Sequence, residues 1–510
     1  SAASDVYKRQ ALYVGRQPVL LNVTVLNPLG ARARFVGAPR WVPAGARASA
    51  PPAGDGAAFA AAESVRVRFV LPPDGVVWPW SGWIGLSITY ESAEPASARA
   101  NASGAGARFE GELCGAAELR LVTRRVSRSG AAQTIVSRLS LPLRAIVVRT
   151  PERHRRVLFD VRHSLSFPPG YVPRDDLAAP AVQMFDAAGA DALGANFARV
   201  GEALRSRGYW LESLSCDLLC FRAEWYGTLL LVDSEDHFSA AEAAKLRTDV
   251  LHAGLSLVVL ADWWQPTVAR QLAFDDEGTA ARWTPATGGA NLPALNVLLA
   301  PFGIAFGEGA LRGAIRGAAG VSAGYASGAR LSRFPAFGQL LTARLADEGR
   351  FMAQHSLAHS AELEASLRVE GGVRADWAEE GTPLRYELVT AAVAGLAQFG
   401  VAPRHGATAQ TARRSGRIAV FGDSSCADDA YDDARAHGGD CGWLVSELLE
   451  YAAMGTPPAS LAAELLTLSS RYASDVPPAR AERPRGSTSD VANGSCLLYT
   501  SDAADEEDSV

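Results

Sequence analysis

The sequence predicts a multidomain chain in which an antiparallel β-sandwich precedes a doubly wound α/β domain. A length of 510 residues is enough for two to four domains. The first 150 residues contain short alternating strands, and from residue 151 onward strands that are apolar throughout alternate with helices. A composition of 48% hydrophobic and 20% charged residues is that of a globular protein, not of a chain disordered throughout.

Residues 11–150 are expected to form the β-sandwich. Segment 65–71, VRVRFVL, alternates arginine with apolar residues, which is the period-two pattern of a half-buried strand. Further segments typical of strands, separated by Gly, Pro, Ala and Ser, are 18–27, 83–90, 118–125 and 135–148. Several short strands with such turns indicate a sandwich. The Ala- and Gly-rich segments 44–62 and 95–111 are expected to be long loops.

Residues 151–455 are expected to form the α/β domain. Its strands are predicted within 155–161, 227–236, 255–264 and 417–425. Because they carry no polar face, they favour a parallel sheet that is covered on both sides. Helices are predicted over 196–209, 239–254 and 441–455, and Ser239 with Glu242 has the spacing of a capping box. Residues 456–495, rich in Pro, Ser and Arg, are interpreted as a linker.

The two ends of the chain are interpreted as translated sequencing adapter. Residues 1–10, SAASDVYKRQ, back-translate to a transposase-type library adapter, and residues 496–510 begin with CLLYTSDAADE, which fits its reverse complement. Lysine occurs only at Lys8 and Lys245, so Lys8 is atypical of an arginine-rich chain. Both ends are therefore kept out of the fold prediction.

Charge and hydropathy exclude several classes of function. The formal net charge of −6 gives no reason to expect nucleic-acid binding. The sequence has no run of 18 or more apolar residues, so it predicts no membrane-spanning helix. The first twenty residues also lack the basic-then-apolar pattern of a secretory signal.

Polar residues at the strand ends are the candidates for a functional site, because α/β proteins bind ligands at the carboxyl ends of their strands. Asp423 and Ser424 follow the strand in 417–425, but the Gly-x-Ser-x-Gly motif is absent, since Cys426 stands two residues after Ser424. We favour a polar turn whose two side chains bind local backbone N–H groups. A hydrolase built here would use Ser424 with His437, which is a poor pair.

Asp262, Trp263 and Trp264 end another strand. The α/β domain is expected to be flavodoxin-like or amidotransferase-like. An amidotransferase-like domain would need a nucleophile at this strand end, usually a cysteine, and the sequence offers none here. We interpret the two tryptophans as packing residues, and we make the same prediction for the tryptophans of segment 78–83, WPWSGW, in preference to a sugar or protein platform.

Acidic residues cluster at a third strand end. They are Asp233, Glu235 and Asp236, and a second acidic group is Asp428, Asp429, Asp432 and Asp433. Carboxylates bind hard cations, but calcium-loop spacing is absent, so we favour a solvated acidic loop. A zinc site is also disfavoured, because no histidine stands at ligand spacing from a cysteine pair. We therefore predict no metal site and no cofactor in this chain.

Many segments resemble the membrane-bound transcription factor site-1 protease family of subtilisin/kexin-type serine endopeptidases. They include LNVTVLNPLG (21–30), VVWPWSGWIGLSI (76–88), RHSLSFPPGYVPRDDL (162–177), GTLLLVDSEDHF (227–238), KLRTDVLHAGLSLVVLADWW (245–264), GRIAVFGDSSCADD (416–429) and CGWLVSELLEYAAMGTPPASL (441–461). The resemblance runs collinearly from about residue 13 to about residue 461. It covers the region that follows the catalytic domain of that family.

The resemblance implies a non-catalytic role. The Asp, His and Ser motifs of a subtilase triad are absent, and His405-Gly406-Ala407-Thr408 is the nearest string. The expected role is to stabilise the missing N-terminal subtilase domain and to present protein-interaction surfaces. The parent would process membrane-anchored transcription factor precursors in the lumen of the ER and Golgi. A lumenal cofactor protein and a C-terminal transmembrane anchor belong to this picture, and the protease domain of the parent could bind calcium. The alternative is a stand-alone α/β hydrolase or amidotransferase-like enzyme.

The resemblance also bears on cysteines and glycosylation. Cys426 and Cys441 fall where the family has cysteine, and in a lumenal protein a disulfide between them would stabilise the fold by about 3 kcal/mol. A Cys216–Cys220 pair is a weaker local alternative, and the odd count of cysteines, with Cys496 set apart, implies a free thiol. Glycosylation is expected at the sequons of Asn22 and Asn101.

Overall fold

In a computed structural model, the chain forms two compact units, Ser1–Pro151 and Glu152–Val510. The structure describes residues 11–27, 31–48, 64–78, 80–91, 110–126, 132–164, 193, 196–271, 274–276, 281–285, 287–317, 320–347, 388–399, 416–429, 441–456, 460, 465–467 and 499–501. Both adapter-like ends, most of the predicted linker and the His405–Thr408 string lie outside these residues, except for the short strand Tyr499–Ser501.

The first unit is a sandwich of two antiparallel sheets, in agreement with the fold class predicted for it. Its strands are β1 (Val19–Asn27), β2 (Ala33–Phe35), β3 (Arg40–Ala48), β4 (Val65–Val70), β5 (Val76–Val77), β6 (Trp80–Tyr90), β7 (Gly111–Val126) and β8 (Ala132–Val147). One sheet has the order β1-β6-β4, and the other has the order β3-β7-β2-β5 with β8 on the opposite side of β7. All the pairs are antiparallel.

The core of the sandwich lies between the two sheets and follows from alternation along each strand. In β6, Ile84 and Leu86 are buried while Trp83 is exposed, because successive side chains point to opposite faces. The inward residues of one sheet meet those of the other, among them Leu113 and Leu119 of β7. Burial of this apolar area, at roughly 25 cal/mol per Å², is the main force that holds the two sheets together.

The second unit contains a ten-stranded mixed sheet in the order β10-β9-β11-β12-β19-β18-β17-β15-β16, with β20 against β17. Its strands are β9 (Arg156–Asp160), β10 (Trp210–Leu214), β11 (Thr228–Val232), β12 (Ser256–Leu260), β15 (Ala305–Arg316), β16 (Ser322–Arg333), β17 (Gln339–Asp347), β18 (Leu388–Gln398), β19 (Arg417–Phe421) and β20 (Leu465–Thr467). A separate small sheet joins β13 (Phe274–Asp276), β14 (Ala281–Pro285) and β21 (Tyr499–Ser501).

Helices cover both faces of the parallel strands. The α-helices are α1 (Ala198–Ser206), α2 (Ala240–Thr248), α3 (Pro266–Gln271), α4 (Leu292–Leu299) and α5 (Gly442–Met454). Alternate residues of each strand belong to two different hydrophobic clusters, one with α2 and α4 and the other with α1 and α5. In β11, Leu229 and Leu231 face the first cluster, and Leu230 and Val232 face the second. This double burial explains why these strands are apolar throughout.

Helix ends follow the predicted signals. The hydroxyl of Ser239 accepts from the backbone N–H of Glu242 at 3.2 Å, and the Glu242 carboxylate accepts from the Ser239 backbone N–H at 2.8 Å, which is the capping box. A π-helical turn continues α2 through Asp249–Ala253 and ends at Gly254, whose φ is 66°. Helix α5 ends at Gly455, whose φ is 80°, a left-handed conformation that glycine adopts without strain.

The antiparallel half of the sheet departs from the sequence prediction of a parallel sheet. Strands β18, β17, β15 and β16 run antiparallel to their neighbours and extend the sheet beyond β19. Their sequences, such as AFGEGALRGAIR and SAGYASGARLSR, are rich in glycine and alanine. These residues have low β-propensity, so these segments gave no local strand signal.

No helix among the described residues is long and apolar enough to cross a lipid bilayer.

Candidate functional site

The carboxyl edge of the parallel strands collects the polar residues of the second unit. In chain order β9, β10, β11, β12 and β19 are arranged as 2-1-3-4-5, the strand order of flavodoxin-like sheets. The strand order therefore reverses between β9 and β11, which is where ligands bind in such sheets. Asp160 ends β9, and the turn Asp233–Asp236 follows β11.

The crevice at this switch point is filled by a buried ionic cluster around His163. The Nδ1 atom of His163 lies 2.7 Å from the Oδ2 atom of Asp160, and its Nε2 atom lies 3.2 Å from the Oε1 atom of Glu242. The imidazole also stacks on Phe238, with ring centroids 4.2 Å apart. The side chain of His163 is only 2% exposed, so the ring is held on all sides within the protein.

Charge explains the protonation of this cluster. Burial by itself lowers the pKa of His163, but hydrogen bonds to Asp160 and Glu242 outweigh it and raise the pKa to about 9. Burial raises the pKa of Glu242, but hydrogen bonds from His163, Ser239 and the Leu218 backbone lower it to about 2. His163 is thus an imidazolium between two carboxylates at neutral pH, and it has no lone pair with which to act as a base.

The turn after β11 is buried, which corrects the expectation of a solvated acidic loop. Glu235 and Asp236 are 0% and 2% exposed, and their backbone N–H groups donate to the carbonyl of His163 at 3.0 and 2.9 Å. The Asp236 carboxylate accepts from Arg162 at 3.2 Å. Asp233 has a φ of 45°, the one positive φ among the described non-glycine residues. The turn therefore serves to position the His163 segment.

A second buried cluster lies at the ends of β12 and β19. The Oδ2 atom of Asp262 accepts from the hydroxyls of Ser424 and Ser425 at 2.9 and 2.7 Å, and its Oδ1 atom accepts from the Trp263 backbone N–H at 2.6 Å. Asp423 accepts from the backbone N–H of Ala326, on β16, at 2.6 Å. Ser424 and Asp423 were predicted to bind local backbone groups, whereas the structure gives them partners on other strands.

Two carboxyl groups without contact to solvent share this cluster. Asp262 and Asp423 are each 0% exposed. Burial, and then the charge of Asp423, raise the pKa of Asp262 well above its usual range, while the donors from Ser425, Trp263 and Ser424 oppose the rise. The pKa of the nearby Tyr325 phenol is also raised, by burial and by the same two carboxyl groups. Asp262 therefore keeps its proton where an exposed aspartate would lose it.

This arrangement does not make a serine nucleophile. Ser424 is 2% exposed and donates its proton to a carboxyl group, so its oxygen is not activated and not open to a substrate. The predicted partner His437 lies outside the described residues. His163, the histidine at the same sheet edge, bonds to Asp160 and Glu242 instead. Sequence reasoning had not selected His163, Asp160 or Tyr325 at all.

Gly422 brings the second cluster into position, and its substitution is expected to be costly. A Cβ atom on Gly422 would lie 2.1 Å from both the Ala329 carbonyl oxygen and the Tyr325 hydroxyl. We expect Gly422→Ala to lower the free energy of unfolding by about 3 kcal/mol, measured by urea denaturation. The control is Gly303→Ala, where φ is 70° but nothing lies within 4 Å of the added atom, so a cost of about 1 kcal/mol is expected. Equal losses would contradict the steric argument.

Two disulfides are formed in the second unit. Cys426 bonds to Cys441 with a Cα–Cα distance of 5.7 Å, and Cys216 bonds to Cys220 with one of 6.2 Å. The two pairs are thus not alternatives to each other, and Cys114 is the free thiol among the described residues. Cys441 precedes helix α5 and is fully buried, so its bridge ties the end of β19 to that helix.

The two bridges are expected to differ in their contribution to stability. The Cys426–Cys441 bridge spans 15 residues and the Cys216–Cys220 bridge spans 4. Because loop-closure entropy grows with loop length, we expect Cys426→Ser with Cys441→Ser to cost about 3 kcal/mol and the other pair about 2 kcal/mol. Urea denaturation of the double variants measures both values. Cys114→Ser is the matched control, with an expected change below about 1 kcal/mol, and a reversed order would contradict the argument.

The remaining predicted residues lie in different places. Trp263 is 1% exposed and packs in the core, in line with the prediction for it. Trp78 and Trp83 are 50% and 42% exposed, so the packing prediction for segment 78–83 is wrong at these two positions. Asn22 is exposed on the edge strand β1, and Asn101 lies outside the described residues.

The predicted acidic groups do not converge on one site. Asp428 accepts from the side chain of Asn196 at 3.3 Å, whereas Asp236 binds Arg162. Asp432 and Asp433 lie outside the described residues. Within the described part of the chain, no group of three or more His, Cys, Asp or Glu side chains has a metal-binding arrangement.

Comparison with known proteins divides the chain in the same way as its fold. Residues 5–150 match the family model "MBTPS1, third Ig-like domain", and residues 151–466 match "MBTPS1, fourth GATase-like domain". An Ig-like sandwich followed by an amidotransferase-like α/β domain is thus the class of protein that the fold defines. The chain belongs to the MBTPS1 family, the membrane-bound transcription factor site-1 proteases, as the resemblance in its sequence predicted.

Its relatives are much longer than the chain itself. It is 35% identical over 457 residues to the human membrane-bound transcription factor site-1 protease. The matched region covers 89% of this chain and 36% of that protein. It is 34% identical over 444 residues to subtilisin-like protease SBT6.1 of Arabidopsis thaliana, which covers 87% and 36%. The chain thus spans about a third of the length of these relatives.

Among solved structures, the mmIFT52 N-terminal domain covers 59% of this chain and 98% of its own, with 14% identity and a TM-score of 0.30. That similarity is too low to support a common fold.

Proposed function

We propose that these domains are the non-catalytic part of a site-1-protease-like subtilase, which stabilise its protease domain and present surfaces to other proteins. The observation that carries the proposal is that buried, hydrogen-bonded side chains occupy the carboxyl edge of the sheet, where an α/β enzyme would bind its substrate. The His163 cluster fills the switch point, and Ser424 is hydrogen-bonded to Asp262 out of contact with solvent. Fully satisfied buried polar networks rigidify a core and specify a unique packing.

The parent protein is proposed to be a serine endopeptidase that processes membrane-anchored transcription factor precursors. Support comes from the family and from the names of the relatives, which are site-1 and subtilisin-like proteases. We place the parent in the lumen of the ER and Golgi, held by a C-terminal membrane anchor, with a lumenal cofactor protein as partner. The two disulfides and the exposed sequon at Asn22 support an oxidising, secretory setting.

The absence of catalysis is tested with a fluorophosphonate probe, which labels activated serine nucleophiles. We expect the 510-residue chain to remain unlabelled at pH 5 to 9. The Ser424→Ala variant, which lacks the candidate hydroxyl, is the negative control. Labelling that is lost in the Ser424→Ala variant would overturn the proposal and favour a hydrolase.

The stabilising role is tested by tandem expression. The subtilase domain of the human site-1 protease is expressed alone and fused ahead of this chain, and soluble yield and thermal unfolding of the protease domain are compared. We expect the fusion to raise both. As a control, the fusion is repeated with Gly422→Ala, which should reduce the gain. A protease domain that is equally soluble and stable alone would contradict the role.

A further inference from the structure

An unusual cluster of arginines lies on the outer face of the five-stranded sheet of the sandwich. Arg120 of β7 and Arg138 of β8 are directly opposite each other in the register, and both are exposed. Arg124 stands four residues further along β7, and Arg34 of β2 lies opposite Val122 of β7. We name these four residues, Arg34, Arg120, Arg124 and Arg138, the arginine face.

The register makes the arginine face compact. Opposite residues of antiparallel strands have Cα atoms about 5 Å apart, and two residues along a strand span about 6.6 Å. The four guanidinium groups therefore surround Val122 and Val136, which form a cross-strand pair at the centre. Val136 is 58% exposed, so the face combines positive charge at its margin with an apolar floor.

The described acids on this side of the sheet pair with other arginines. Glu118 on the same side of β7 binds Arg40 at 2.8 Å, and Glu112 lies 3.7 Å from Arg144. Among the described residues, no carboxylate forms an ion pair with the four members of the arginine face. This positive area contrasts with the formal net charge of −6 of the whole chain.

Such an arrangement lowers the stability of the isolated sheet. Like charges directly opposite each other on two strands are destabilising, and Arg120 with Arg138 is such a pair. Folding of this unit gains nothing from the arrangement. A ligand that brings negative charge to the face would remove the repulsion and bind through charge-assisted hydrogen bonds to guanidinium groups.

We propose that the arginine face is the docking surface for an acidic polypeptide segment in extended conformation. An extended peptide places alternate side chains about 6.6 Å apart, which matches the steps along the strand direction from Arg120 to Arg34, opposite Val122, and on to Arg124.

The size of the face favours a peptide over a lipid surface or a nucleic acid. The four arginines span about 13 Å along the strands, from Arg120 to Arg124, and three neighbouring strands across. That footprint holds about five residues of an extended chain. This proposal gives a location and a partner chemistry to the interaction role proposed above, and it rests on that role.

The test is binding of a fluorescein-labelled peptide of alternating Glu and Val, ten residues long, to the full chain by fluorescence polarisation. We expect binding at 50 mM NaCl that weakens at 300 mM, because exposed charge pairs are screened by salt. Arg120→Gln with Arg138→Gln should raise Kd at least tenfold. The matched control is Arg40→Gln with Arg144→Gln, two arginines of the same face that already have glutamate partners, and it should change Kd less than threefold.

Several results would overturn the proposal. They are the absence of peptide binding, equal binding of a Gln-Val peptide, and equal loss of affinity in the two double variants. Binding of a sulfated oligosaccharide or of phosphatidylserine vesicles, dependent on Arg120 and Arg138 where the acidic peptide does not bind, would assign the face to another partner.

A thermal melt supplies the second readout. The Arg120→Gln, Arg138→Gln variant should have a melting temperature equal to or above that of the wild-type chain, because it lacks the charge repulsion between the two arginines. A lower melting temperature would mean that these arginines are paired within the protein, against the proposal. Failure of peptide binding leaves the stabilising role intact, because that role is judged by the yield and stability of the fused protease domain.

Discussion

Replacing His163 by alanine is expected to lower the free energy of unfolding by about 3–5 kcal/mol, because it leaves two buried carboxylates, Asp160 and Glu242, without their counter-ion. The measurement is urea denaturation at pH 6. The matched control is His252→Ala, since His252 is an exposed histidine after α2 and its loss should cost less than about 0.5 kcal/mol.

The loss should also depend on pH in a defined direction. The pKa of His163 rises from 6.5 to about 9 on folding, so its contribution is complete below pH 6.5 and disappears as pH increases through 9. The pKa of Glu242 falls from 4.5 to about 2, so its contribution is complete above pH 4.5 and disappears as pH decreases through 2. The penalty of His163→Ala should therefore be greatest between pH 4.5 and 6.5. A penalty below 1 kcal/mol there would refute the ion cluster.

The second large effect is expected at Asp262. Removal of its carboxyl group by Asp262→Ala leaves three buried donors, on Ser424, Ser425 and Trp263, without an acceptor. Each buried donor left unsatisfied costs about 1–3 kcal/mol, so we expect a total loss of at least about 3 kcal/mol in urea denaturation.

Asp262→Asn keeps the shape of the side chain and removes its titratable proton, so it separates the effect of packing from that of titration. The folded-state pKa of Asp262 is raised, so the wild-type chain loses stability as pH rises from the unfolded pKa of 3.8 to the raised value. The amide does not titrate, so the free energy of unfolding of the variant should increase relative to that of the wild type as pH increases from 5 to 8. Parallel pH profiles for wild type and Asp262→Asn would contradict the raised pKa of Asp262.

The sequence predicted the parts of the fold that have a local signal. Strands β9, β11, β12 and β19 are apolar runs, and the capping box of α2 is encoded by Ser239 and Glu242 alone. The antiparallel strands β15 and β16 were not predicted, since alanine and glycine carry little information about strands. Their position is fixed by pairing with neighbours far along the chain.

The site was predictable only in pieces. Asp262 and Asp423 were both found at strand ends, but their proximity depends on β12 and β19 being neighbours, which requires the strand order. Glu242 was found as a helix cap, while its contact with His163 joins segments nearly eighty residues apart. The chemistry of such residues depends on partners that the local sequence does not name.

The pairing of β12 with β19 has a consequence for biosynthesis. Strand β12 ends at Leu260 and β19 begins at Arg417, more than 150 residues later. At about 5–20 residues per second, a ribosome needs roughly 8–30 seconds to supply the missing neighbour. Throughout that interval the edge of β12 that later pairs with β19 presents unpaired N–H and C=O groups, which can pair with another chain and lead to aggregation.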